Sequence, residues 1–213
     1  MRPSLQTCKF SAVNFTRSGE RILEVASRLF YTQGIGAIGV DRVVDESGVS
    51  KPTLYAQFGS KAGLVAAVLD RRRADRERTI TDHLDGLPAD TDSRVLALFD
   101  WFAIGHQKAG FRGCPFTNAA AELPDPEHPA RAVITAYRDW MRGLFASLAA
   151  SDGLEDSERW GSSLMLLLDG ANARVITTGD TTAILDARAT AADMIAAARI
   201  HPRTTTKTPK ETP

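Results

Sequence analysis

The sequence is poor in cysteine: Cys8 and Cys114, far apart in the chain, are the two among 213 residues. That is no disulfide framework, and a reducing compartment suits it. No apolar run approaches the ~20 residues that span a bilayer. Arg2 and Lys9 are not followed by the apolar region of a signal peptide. These absences point to a cytoplasmic protein with no membrane partner. The four histidines, His83, His106, His128 and His201, lack metal-ligand spacing. There is no glycine-rich phosphate loop, and residues 159–163, RWGSS, lack the G-x-S-x-G pattern of a nucleophile elbow. His106 and Cys114 could be imagined as an imidazole–thiol pair, but nothing in the spacing requires it. No metal, cofactor or catalytic residue is expected, so the chain does not read as an enzyme.

Net charge is also missing, with 26 Lys and Arg against 26 Asp and Glu. The balance is uneven along the chain. Residues 1–85 carry 13 basic and 10 acidic side chains, residues 86–201 carry 10 and 15, and the remainder carries 3 and 1. The basic excess therefore sits in the first third and at the end, a modest footprint for an anionic partner. Length and hydrophobic content allow one large domain or two small ones, and the abundant alanine favours helix.

What is there is concentrated in residues 40–61, VDRVVDESGVSKPTLYAQFGSK. Val40, Val43 and Val44 share one helix face. Gly48 falls where that helix must end, and glycine takes the left-handed conformation of a sharp turn. Val49 plugs the turn, Ser50 caps the next helix, and Pro52 occupies its first turn. Leu54 and Phe58 point inward. Lys51, Thr53, Tyr55 and Gln57 are left outward, with cationic, hydroxyl and amide groups suited to phosphates and base edges in a major groove. The spacing predicts a helix-turn-helix.

The run GVSKPTLYAQFGSKAGLVAAVL resembles the helix-turn-helix signature of the TetR family of transcriptional regulators. Gly48, Val49, Ser50, Lys51, Thr53, Leu54, Tyr55, Phe58, Ser60, Lys61 and Leu64 carry the match. The preceding ILEVASRLFYTQGIGAIGV resembles the family's first helix and the link after it. The resemblance implies a double-stranded DNA operator as partner, read by Lys51, Pro52, Thr53, Tyr55 and Gln57, with Lys61 on a phosphate. One departure is Gly39, where many members place Ser or Thr to cap the second helix and touch a phosphate. Asp41 is the alternative cap.

Beyond the motif the chain reads as helix throughout. Residues 1–16 form an arm without periodicity. The first helix covers residues 18–32, with Ile22, Leu23, Ala26, Leu29 and Phe30 as its buried stripe. Ser60 caps a fourth helix running to residue 84. Its RRRADRER segment, residues 71–78, reads as a solvated face with i, i+4 ion pairs rather than as a DNA-binding patch. Further helices are expected at residues 93–108, 114–122, 130–150, 156–178 and 182–200, and a polar tail follows from 202. The expected fold is all-α with about nine helices. A helix-turn-helix domain spans 17–62, and a helical ligand-binding and dimerisation domain spans 63–201.

The aromatic residues of that second part, with nearby polar groups, form the candidate ligand site: Trp101, Phe102, His106, Cys114, Phe116, Asn118, Trp140 and Asn172. A plain aromatic core is the other reading. Cys114, at the start of a helix, is a candidate sensor thiol or a core residue. Two apolar stripes, Leu164, Met165, Leu167, Leu168, Ala171 and Val175, then Ile184, Leu185, Ala191, Met194, Ile195 and Ala198, suit a four-helix homodimer interface or an internal core. Gly161, Gly170 and Ala173 would allow close helix approach. The sequence reads as a ligand-responsive repressor, binding a palindrome as a homodimer and released by a small apolar or aromatic effector. The alternative is a DNA-binding regulator without an effector, sensing thiol chemistry through Cys114.

Overall fold

The computed structural model describes residues 15–200. Arg2, Cys8, Lys9, His201 and the polar tail lie outside the described residues. Within them are nine helices and no strand. They are α1 (Arg17–Gln33), α2 (Val40–Ser47), α3 (Lys51–Phe58), α4 (Lys61–Asp85), α5 (Arg94–His106), α6 (Pro115–Glu122), α7 (Ala130–Ser151), α8 (Ser157–Thr178) and α9 (Ala183–Ile200). The boundaries follow the sequence signals. Thr16 accepts the Gly19 amide to begin α1, and Gly34, at φ 94°, ends it. Ser93 caps α5 through the Leu96 amide, and left-handed Gly179 closes α8.

The chain divides into two compact units, with boundaries inside α4 and α7. One holds the residues up to Thr81 together with Arg112–Trp140, and the other holds Asp82–Phe111 together with Met141 onward. In the first, α1 packs on α2 and α3 through Ile22, Leu23, Ala26, Leu29 and Phe30, all buried. Burial of the isoleucine, leucine and phenylalanine side chains among them contributes roughly 1.5–3 kcal/mol each. Ion pairs fasten the outside. Arg71 of α4 holds Glu20 of α1 with two bonds, and Arg73 holds both Asp70 and Glu77. Asp75 takes Arg71 and Arg78 at i, i+4 and i, i+3. The RRRADRER segment carries the expected i, i+3 and i, i+4 ion pairs, but it is not the solvated face the charge pattern predicts: Arg73 is buried, and Arg72 donates to the Ser27 carbonyl of α1.

In the second unit α9 packs on α5 and α8. Most of the stripes read from the sequence is spent here: Leu164, Met165, Leu168, Ala171, Val175, Ile184, Ala191 and Ile195 are buried within the one chain, whereas Leu167, Met194 and Ala198 are half-buried and Leu185 is exposed. Of the small residues, Gly161 allows close approach. A Cβ there would lie 2.6 Å from the Arg142 carbonyl of α7. Gly170 does not, because nothing lies within 4 Å of where its Cβ would be.

Asp152, at the end of α7, caps α5 from outside. Its carboxylate accepts the Ser93 hydroxyl at 2.6 Å and the Arg94 and Val95 amides at 2.9 and 3.1 Å. Three donors converge on one charged acceptor, and its removal strands two helix-end amides. Asp152→Ala is expected to cost about 2–3 kcal/mol. The check is a lower urea midpoint with an unchanged slope.

Candidate nucleic-acid interface

The helix-turn-helix is built as the sequence predicts. Val43 and Val49 are buried, Gly48 is left-handed at φ 62°, and its amide returns to Val44. Ser50 caps α3 by accepting the Thr53 amide at 3.4 Å, and its hydroxyl meets that of Thr53 at 2.8 Å. Leu54 and Phe58 are buried, and the Phe58 ring stacks on Phe15 at 5.1 Å. Arg21 of α1 reaches the Ser47 carbonyl at the end of α2, so the turn is held from both sides.

This packing leaves Lys51, Pro52 and Tyr55 exposed and Thr53 half-buried at the front of α3, with Tyr55 at 42% exposure. Gln57 is half-buried, and its amide oxygen lies 2.8 Å from where a Gly19 Cβ would be, over the first turn of α1. Lys61 is also engaged, donating to the Ile35 carbonyl at 2.7 Å in the α1–α2 link. An ammonium has three donors, so two remain. The expected Asp41 cap is not formed. Gly39 is the N-cap of α2, without a side-chain bond. Asp41 is already inside the first turn, and its carboxylate lies 2.7 Å from the Lys51 ammonium. Ser60 caps α4 through the Gly63 amide at 3.0 Å.

Residues 22–68 match the family model described as bacterial regulatory proteins, tetR family. A crystal structure of a TetR-family transcriptional regulator from Streptomyces coelicolor superposes with a TM-score of 0.77 at 31% identity. The superposition covers 84% of this chain and 95% of that one. The chain belongs to the TetR family. Its members are DNA-binding transcriptional regulators and not enzymes. The HTH-type transcriptional activator FasR of Mycolicibacterium smegmatis is 32% identical over 141 residues, which is 63% of this chain and 60% of FasR. The match therefore spans less than two thirds of that relative. The HTH-type transcriptional repressor BdcR of Escherichia coli is 45% identical over 51 residues, 24% of this chain and 26% of BdcR.

In this TetR-family chain the predicted ligand residues divide between the two units. Trp101, Phe102, His106 and Asn172 belong to one. Trp101 packs edge-on to Phe102 at 5.1 Å, and buried His106 lies against the Phe111 ring at 4.3 Å. Cys114, Phe116, Asn118 and Trp140 belong to the other. Phe116 stacks on Tyr137 at 3.8 Å, and Trp140 follows at 6.4 Å from Tyr137. The Asn118 amide donates to the Arg112 carbonyl at 2.8 Å, while its buried oxygen has no hydrogen-bond partner. That residue lines a cleft of about 20 Å³ between α1, α4 and α6, room for about one water. Cys114 is the N-cap of α6, makes no cap bond and is buried, which favours the core reading over an open sensor thiol.

Sequence reasoning missed two features. Tyr31 joins α1 to the segment before α6, donating to the Gly113 carbonyl and accepting the Arg112 amide. Glu122 at the end of α6 accepts the Gly36 amide at 2.8 Å. No periodicity or motif relates residues so far apart in the chain. The second feature is a groove of about 580 Å³ lined by Leu154, Arg159, Trp160, Ser163, Met194 and Ala198. Among the described residues no group of His, Cys, Asp or Glu could hold a metal ion, and no helix is long and apolar enough to cross a membrane.

Proposed function

We propose that this TetR-family chain is a ligand-responsive repressor that binds a palindromic operator as a homodimer. The observation that carries the reading is the front of α3. Lys51, Pro52, Thr53 and Tyr55 project beside the helix's N-terminal amides while Leu54 and Phe58 are buried behind them. Such an end favours phosphate, and the side chains offer donors to base edges. Lys61 and Gln57 support this surface from the α1 side. One eight-residue helix reads few bases, and a two-fold partner doubles the contacts. Exposed Leu166, Ile176 and Leu185 on α8 and α9 supply apolar surface for such a partner. Repression is the sign carried by BdcR's name, at 45% identity across 51 residues, although FasR is an activator.

The effector is a small apolar or aromatic molecule, drawn to some of the aromatic side chains within a single unit, such as Trp101 and Phe102 with Asn172 of the same unit to orient it. By linkage, an effector that lowers operator affinity must itself bind more weakly to the operator-bound protein, by the same factor. Equal effector affinity with and without operator duplex would rule out the coupling.

Tyr55→Ala is expected to weaken operator binding by about tenfold or more, the scale of a central aromatic contact. Its melting temperature should stay within about 2 °C, because a half-exposed ring contributes little to the core. Binding should also weaken steeply with salt. Unchanged affinity in a gel-shift titration would remove Tyr55 from the interface.

A further inference from the structure

The surface presented by α2 and α3 contains an ion pair of its own. The Lys51 ammonium lies 2.7 Å from the Asp41 carboxylate, and both side chains are open to solvent, at 47% and 76% exposure. Lys51 is the first residue of α3. There the helix amides point outward and the dipole favours an anion, so a cation at this position gains from a negative group beside it. Asp41 supplies that group from the first turn of α2, whose own N-terminus welcomes a carboxylate. The Lys51 ammonium is held above its ordinary pKa, chiefly by its hydrogen bond to Asp41 and then by the carboxylate's charge.

We propose that Asp41 is an internal competitor for Lys51. Its carboxylate stands where a phosphate oxygen would, so DNA binding exchanges one anion for another. Asp41 thereby sets affinity lower, and the salt dependence shallower, than the count of basic residues implies. This rests on the reading that α3 meets DNA through Lys51. A lysine already neutralised by a carboxylate releases fewer counterions when it meets a phosphate. Each cation freed for phosphate contact steepens the dependence of log affinity on log salt by about 0.9.

The test compares wild type, Asp41→Asn, Lys51→Ala and the double variant. Each binds a short fluorescent duplex of mixed sequence across a salt series, with a thermal melt of each protein. Asp41→Asn is expected to bind roughly two- to fivefold more tightly at low salt, the scale of an exposed pair. The slope against salt should steepen, and the gain should vanish in the Lys51→Ala background. A damaged fold would lose affinity, so a gain cannot arise from misfolding. A folded Asp41→Asn that binds no more tightly than wild type overturns the proposal. So does a gain that persists without Lys51, because Asp41 would then be repelling phosphates directly. Lys51→Ala binding as tightly as wild type would instead remove Lys51 from the DNA surface, a failure of the underlying reading that this single variant reports separately.

Discussion

Gly63→Ala is expected to lower the melting temperature by roughly 6–12 °C, from a loss of about 3 kcal/mol in a chain this long. The reason is backbone contact. A Cβ at position 63 would stand 2.1 Å from the Phe58 carbonyl oxygen, and no side chain can rotate away to make room. The corner between α3 and α4 is closed by three bonds: the Gly59 amide to Tyr55, the Ser60 amide to Phe58, and the Gly63 amide to the Ser60 hydroxyl. A methyl group must open that corner, and Phe58 moves with it. DNA binding should fall together with stability, because the end of α3 is displaced. Gly39→Ser is the control. Nothing lies within 4 Å of a Cβ at Gly39, its φ of −79° suits any residue, and a serine can cap α2 there. Its stability should stay within a few tenths of a kcal/mol of wild type or rise. If Gly63→Ala melts with wild type, the corner is looser than its geometry states.

Leu168→Arg and Leu166→Arg should differ sharply although they lie two residues apart. Leu168 is 2% exposed within one protomer, whereas Leu166 is 71% exposed on the same helix. Arginine at 168 places an unpaired charge among Leu164, Ala171 and other buried groups, and should cost more than about 3 kcal/mol or abolish folding. Arginine at 166 meets solvent in the isolated protomer, so helix content and melting of the monomer should be retained. If α8 and α9 form the homodimer face, Leu166→Arg desolvates a charge at the interface and should shift sedimentation from dimer to monomer. Palindrome binding should be lost along with the dimer. A folded Leu166→Arg variant that still sediments as a dimer would place the interface elsewhere.

The contrast between these leucines also separates two levels of information. Periodicity marks α8 as apolar on one face, and that stripe exists. It cannot say whether the stripe meets the same chain or another. The buried set of Leu164, Met165, Leu168 and Val175 meets the chain itself, and the large apolar side chains left exposed on α8 and α9 include Leu166 and Ile176, outside the stripes, and Leu185, a member of one. Gly161 and Gly170 look alike in sequence, yet a side chain at 161 would strike the α7 backbone while one at 170 would meet nothing.

Local chemistry determined most of the fold. Gly34, Gly48 and Gly179 end helices because glycine accepts a positive φ, and Ser50, Ser60 and Ser93 begin them because a hydroxyl can take a free amide. These are interactions within four residues, so the order of residues is sufficient to state them. For the same reason Lys51 and Tyr55 could be read as outward from i, i+4 spacing alone, whereas Thr53 and Gln57, read the same way, are half-buried. Tertiary structure decided the pairings that bring distant residues together: Lys61 onto Ile35, Glu122 onto Gly36, Asp152 onto the start of α5, and Asp41 onto Lys51. A charged side chain has many acceptable partners in a sequence, and only packing brings one of them within 3 Å.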